Sequence, residues 1–103
     1  PFFADFAWVE RRLIVEVEKF GDYTPVPKKG YISLRRKRQF AMLGPGTKGR
    51  FEIGLNLKGI EATERLVAQP DNLMCQFKVF LTSIDEIDAE LLEWLRLAYQ
   101  ASA

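Results

Sequence analysis

The chain has no histidine and a single cysteine, Cys75. The first absence removes the commonest general base and the commonest ligand of zinc and iron together. It also leaves Ser33, Ser83, Ser102 and the threonines without the partner that activates a hydroxyl nucleophile. No catalytic residue, cofactor or metal is therefore expected, and the chain reads as a non-enzyme. A lone cysteine closes no internal disulfide, which fits a reducing compartment and a cytoplasmic location. Long apolar runs are missing as well. The stretch from Met74 to Leu81 is broken by Gln76 and Lys78, far short of the ~20 apolar residues a membrane-spanning helix needs, so no membrane partner is expected.

What is present is enough for one packed core. The 103 residues are 48% hydrophobic and include eight phenylalanines, which predicts one α+β domain over residues 1–103 rather than a disordered tail. Because it starts at Pro1 rather than Met, the chain is expected to be the ordered part of a longer protein.

Phe6, Val9, Leu13, Val17 and Phe20 recur at spacings of three and four, so residues 5–20 are predicted to form an amphipathic helix that stops at Gly21. Pro25 and Pro27 force an extended path and bar this stretch from the middle of a sheet. The period then changes to two. Short strands are predicted at 31–34 and 40–43, and the clearest one at 50–57, where Phe51, Ile53, Leu55 and Leu57 alternate with Arg50, Glu52, Gly54 and Asn56. A short helix is predicted over 60–68 and a last strand over 75–81, with Cys75, Phe77, Val79 and Leu81 on one face and Phe80 on the other. Ser83 and Glu86 form a capping-box pattern, and Asp88 offers a second N-cap. The closing helix directs Ile87, Leu91, Leu95 and Ala98 inward, with Trp94 at the flank. These elements predict a two-layer α+β fold, an antiparallel meander sheet of four to five strands packed against N- and C-terminal helices.

Three runs carry a family resemblance: Pro27-Lys28-Lys29-Gly30-Tyr31-Ile32-Ser33-Leu34-Arg35-Arg36-Lys37-Arg38-Gln39-Phe40-Ala41, Gly54-Leu55-Asn56-Leu57-Lys58-Gly59, and Asp85-Glu86-Ile87-Asp88-Ala89-Glu90-Leu91 continuing to Trp94-Leu95 and Ala98-Tyr99. Over nearly its whole length the chain resembles the bacterial domain of unknown function numbered 5655. The resemblance implies an intracellular bacterial protein of which this domain is the C-terminal part, with a small helical domain upstream, and it supplies no activity and no catalytic residues. More loosely, the strand order and closing helix are similar to the double-wing domains, for some of which DNA binding has been inferred. The chain departs from the family at Gln76-Phe77-Lys78, where a histidine is frequent.

Charge is distributed unevenly. Net charge is +1, yet Lys28, Lys29, Arg35, Arg36, Lys37, Arg38, Lys48, Arg50 and Lys58 face one acid, Glu52, between positions 28 and 58. The flanks carry the opposite excess. A basic segment near aromatics such as Tyr23 and Tyr31 is the footprint of nucleic-acid contact, and these nine residues are the candidate site. In a meander the turns alternate between the two ends of the sheet, so residues 35–38 are expected at one end and Lys28, Lys29 and Lys48 at the other. The competing explanation is a solvated hairpin whose charges resist edge-to-edge aggregation. The alternative function is protein–protein contact, through homo-oligomerisation or an upstream helical domain, with Phe2, Phe3 and Phe6 as the apolar contact surface.

Three further motifs read as structure. Asp85, Glu86, Asp88 and Glu90 suit the positive end of a helix dipole rather than a cation. Residues 44–49 are a glycine-rich hairpin loop without phosphate-loop spacing. Cys75 reads as a buried, inert thiol.

Overall fold

The alternating segments assemble into one antiparallel sheet, and both helices close over the same face of it. The computed structural model describes residues 2–46, 49–70 and 75–103, with side chains from Phe6 onward. Helix α1 (Phe2–Glu18) is followed by strands β1 (Thr24–Lys28), β2 (Tyr31–Arg35), β3 (Gln39–Pro45), β4 (Phe51–Leu55), β5 (Val67–Ala68) and β6 (Phe77–Leu81). A 3₁₀ turn, Ile84–Glu86, then leads into helix α2 (Ala89–Ala101). The spatial order is β1-β2-β3-β4-β6-β5, with each neighbouring pair antiparallel. The α+β architecture is the one the periodicities predict, with six strands in place of four to five.

Register explains how the sheet acquires an inside. Phe51, Ile53 and Leu55 of β4 lie opposite Leu81, Val79 and Phe77 of β6, so alternate residues of both strands fall on the helix side. All six are buried against Val9, Leu13 and Val17 of α1 and Leu91, Leu95 and Ala98 of α2. Gly21, at φ 139, ends the turn after α1, and a Cβ there would lie 2.5 Å from the Tyr99 hydroxyl. That hydroxyl donates to the Asp22 carbonyl at 2.8 Å, tying the end of the first helix to the last.

Two proline positions become an edge strand. Lys28 and Tyr31 flank the two-residue loop Lys29-Gly30, so Thr24, Val26 and Lys28 turn their N–H groups toward β2. Pro25 and Pro27 occupy the alternate positions, which face outward, where no donor is required.

Residues 60–66 correct the sequence reading, since no helix forms there. The Thr63 side chain accepts from the N–H groups of Arg65 and Leu66 at 3.2 and 2.9 Å, a local turn that competes with helical bonding. Arg65 is drawn across to α2, bonding Asp88 and Glu90 at 2.8 and 3.0 Å and the Glu86 carbonyl. Leu66 is thereby buried, and the segment ends in the two-residue strand β5. Cys75 is also placed differently. It precedes β6 and lies on the face away from the helices, where a Cβ on Gly54 would come within 2.8 Å of its Sγ. The thiol is 3% exposed, and burial pushes its pKa above the ordinary value despite nearby Lys78.

The acids before α2 cap it. Both halves of the Ser83/Glu86 capping box form, and Asp88 accepts from the Leu91 N–H at 3.1 Å. That bond and the Arg65 guanidinium hold the Asp88 carboxyl below its ordinary pKa. For Glu86, burial pushes upward, but bonds from Thr82 and Ser83 outweigh it and the net direction is down. A carboxyl depressed in the fold contributes stability that is complete at neutral pH and is lost as pH falls through the folded value. Asp88→Ala is expected to cost about 1 kcal/mol at pH 7, and less in acid, where the wild type has already lost the contribution. Urea unfolding at the two pH values checks this, and an equal cost at both would contradict the capping role.

Candidate nucleic-acid interface

The hairpin geometry separates the nine basic positions into two ends of the sheet. Lys28, Lys29 and Arg50 lie at the end formed by the β1–β2 and β3–β4 connections, and Lys48 lies outside the described residues. Arg35, Arg36, Lys37, Arg38 and Lys58 gather at the opposite pole, where the β2–β3 turn and the end of β4 meet the C-terminus of α2. Phe2 and Phe3 have no described side chains, whereas Phe6 is buried and meets Phe51 edge-on at 5.7 Å.

Not every cation at the pole is available. Helix α2 carries no basic residue in its last turn, and Arg36 supplies one from the hairpin. Its guanidinium lies 4.1 Å over the Tyr99 ring and donates to the Tyr99 carbonyl at 2.9 Å. A cation there offsets the negative end of the helix dipole. Arg38 is held only through its backbone, its N–H donating to the Ser102 carbonyl at 3.3 Å, and its side chain stays exposed. Arg35, Lys37 and Lys58 are exposed as well.

These four side chains make no ion pair with any described residue. The ion pairs of the described residues are Arg12–Glu16, Lys19–Glu16, Arg65–Asp88, Arg65–Glu90, Lys78–Glu52 and Arg96–Glu93, each with its cation from outside the candidate set. Glu52, the one acid of the central segment, is thus taken by Lys78 at 3.1 Å. The flanking carboxylates do not cancel the basic pole.

Between the hairpin and α2 lies an open groove of about 840 Å³. Arg35, Arg38 and Lys58 stand at its rim; Leu57, Ile60, Leu97 and Ala101 form an aliphatic wall; and Gln39, Asn56 and Gln76 contribute amides. Among the described residues no carboxylate lines it. Sequence reasoning missed the three amides because a neutral side chain leaves no mark on a charge map.

The placement of Gln39 and Asn56 follows from a bulge. Leu34 pairs with Ala41 but Arg35 pairs with Gln39, so Phe40 is an extra residue on β3. Its ring turns into the core, edge-on to Tyr99 at 5.3 Å and to Tyr23 at 6.3 Å. Gln39 then accepts from the Ser33 hydroxyl at 2.6 Å through Oε1, and its carbonyl accepts from Asn56 Nδ2 at 2.7 Å. Asn56 Oδ1 is buried with no hydrogen-bond partner among the described residues. Tyr23, a candidate for stacking on a base, is engaged with Phe40, and burial, then the Glu18 charge, pushes its phenol above the ordinary pKa.

The other end of the sheet offers less. A cleft of about 180 Å³ near Tyr31 contains the Lys78–Glu52 pair and the Cys75 thiol, so its charges are already matched. Arg50 spreads its guanidinium 4.0 Å over the Phe80 ring, which accounts for Phe80 on the helix-free face. Among the described residues no helix is long and apolar enough to cross a membrane, and no group of three or more Cys, Asp or Glu could hold a metal ion.

A family model described as a domain of unknown function, DUF5655, matches residues 8–102. The chain belongs to this family. No curated protein and no solved structure matches the chain.

Proposed function

We propose that this member of the family is a non-enzymatic accessory domain that contacts nucleic acid through the pole built from Arg35, Lys37, Arg38 and Lys58. The observation that carries the reading is that three of these exposed cations, Arg35, Arg38 and Lys58, line one groove, and none of the four has a carboxylate partner among the described residues. A hairpin charged only to resist aggregation needs no such cavity. Lys28, Lys29 and Arg50 sit too far around the sheet to share that surface, and Arg36 serves the helix. Phosphates approaching the pole release counterions, so affinity must fall steeply with salt. Titration of labelled single- and double-stranded oligonucleotides at low and moderate salt tests this, and absence of binding at about 50 mM salt would refute it.

One observation favours a second reading, protein contact through α1. Trp8 is 61% exposed and Val15 45%, two turns apart on the same side of the helix, with Arg11 lying 5.3 Å over the Trp8 ring. If this face mediates self-association, Trp8→Glu abolishes a concentration-dependent rise in mass seen by light scattering. A wild type that remains monomeric excludes that version.

A further inference from the structure

The groove between the hairpin and α2 is built differently from a surface that only meets phosphates. Phosphate contact is served by cations on open surface and asks for no apolar wall behind them. Here Arg35, Arg38 and Lys58 are exposed at the rim, while Ile60 and Leu97 are half-buried, packed against the core and still lining the groove. Among the described residues the lining contains no carboxylate and no aromatic ring. A cationic or neutral occupant would leave the rim unanswered, and a flat ring would find no aromatic partner to stack on. The amides offer little besides. Gln39 Oε1 already accepts from the Ser33 hydroxyl at 2.6 Å, and Asn56 Nδ2 donates to the Gln39 carbonyl at 2.7 Å with its own Oδ1 buried. A peptide backbone, which brings a donor and an acceptor at nearly every residue, would meet Gln76 as the one amide side chain left in the lining.

The geometry points to the groove as a binding site for a free acyl carboxylate, its head at Arg35, Arg38 and Lys58 and its chain along Ile60, Leu97 and Ala101. This goes beyond the polyanion reading and does not rest on it, although the two ligands would meet the same cations and exclude one another. Three features agree with it. The planar fork of an arginine matches a carboxylate, and two arginines stand at the rim. An aliphatic chain asks for no hydrogen bond and gains by leaving water against half-buried aliphatic side chains. The volume of about 840 Å³ lies in the range of small-molecule sites. The arrangement suits a free ligand rather than a bilayer, because the apolar residues are recessed behind the cations, whereas a bilayer presents its head groups first and its chains beneath them.

The test titrates the intact chain with decanoate below its micellar concentration, with hexanoate, decanol and decylamine for comparison. Decanoate is expected to bind about tenfold more tightly than hexanoate, as four methylenes partly leave water. Decanol and decylamine, which keep the chain and lose the negative head, should bind at least about tenfold more weakly than decanoate. Intermolecular nuclear Overhauser effects should link the decanoate chain to Ile60, Leu97 and Ala101. Ala101 is exposed on the wall, so Ala101→Glu adds a carboxylate there and should weaken decanoate by about tenfold. Equal affinity for the two chain lengths, indifference to Ala101→Glu, or contacts at Trp8 and Val15 instead would each overturn the site. Binding to anionic phospholipid vesicles without binding of free decanoate overturns it too. Decanoate bound in the groove with no oligonucleotide bound at about 50 mM salt upholds the site and overturns the polyanion reading. Oligonucleotide bound with no decanoate bound does the reverse, and binding of neither removes both.

Discussion

A variant carrying Arg35→Gln, Lys37→Gln, Arg38→Gln and Lys58→Gln is expected to bind a single-stranded oligonucleotide on the order of 10³-fold more weakly than the wild type at about 50 mM salt. The size follows from counterion release. Four phosphate contacts on a single strand give a salt slope of about −3 in logarithmic terms, and removing them flattens it toward zero. Fluorescence anisotropy across a salt series reads both quantities. The fold should be unaffected, because none of the four side chains makes an ion pair with a described residue and Arg38 contributes only its backbone N–H and carbonyl. Arg36→Gln provides the contrast. It removes a charged hydrogen bond to Tyr99 and the cation over its ring, at an expected cost of about 2 kcal/mol in urea unfolding. Its effect on the salt slope should be small. If Arg36→Gln weakens binding as strongly as loss of the four, the division between capping and contacting cations is wrong.

The largest loss of stability is expected from Phe40→Ala, about 3–5 kcal/mol out of a total that for a domain of this size is about 5–15. Phe40 is 0% exposed, and its ring meets Tyr99 and Tyr23 edge-on. Removing it leaves a cavity between β3 and the last turn of α2, and little around it can collapse: the Tyr99 hydroxyl is fixed to the Asp22 carbonyl and Arg36 lies over its ring. The backbone at this position also matters, since the Phe40 carbonyl accepts from the Asn56 N–H at 3.1 Å. Slackening there should therefore loosen the groove as well as the core. Phe40→Leu, which keeps most of the volume, should cost much less. Chemical denaturation separates the two, and a Phe40→Ala cost under about 1 kcal/mol would mean that the bulge is not packed as described.

Much of this fold is legible in the sequence because burial imposes a period. Val9, Leu13 and Val17 mark α1, while Phe51, Ile53 and Leu55 mark β4, since each pattern fits one geometry and exposes apolar surface in the other. The misreadings occur where tertiary contacts override local preference. Residues 60–66 have helix-forming composition, but Thr63 bonds its own neighbours and Arg65 reaches Asp88 and Glu90, contacts between segments more than twenty positions apart. Extending the alternation of β6 past the point where the strand begins puts Cys75 on the wrong face.

The site was legible only in outline. Nine basic residues and the division of the turns between two ends are visible from order and composition. That Arg36 leaves the contact set to serve α2 depends on where that helix ends. That Asn56 carries an unmatched acceptor depends on a one-residue offset between β2 and β3, which no pattern of hydrophobicity announces.

The prolines of β1 bear on how the molecule behaves in company. A strand arriving alongside Pro25 and Pro27 meets carbonyls but no amide hydrogens, so it has nothing to zip onto. The opposite margin, β5, is only two residues long. Templated growth of the sheet from one copy into the next is therefore blocked along β1. The cations clustered at the tip are therefore not needed to keep neighbouring copies apart along β1.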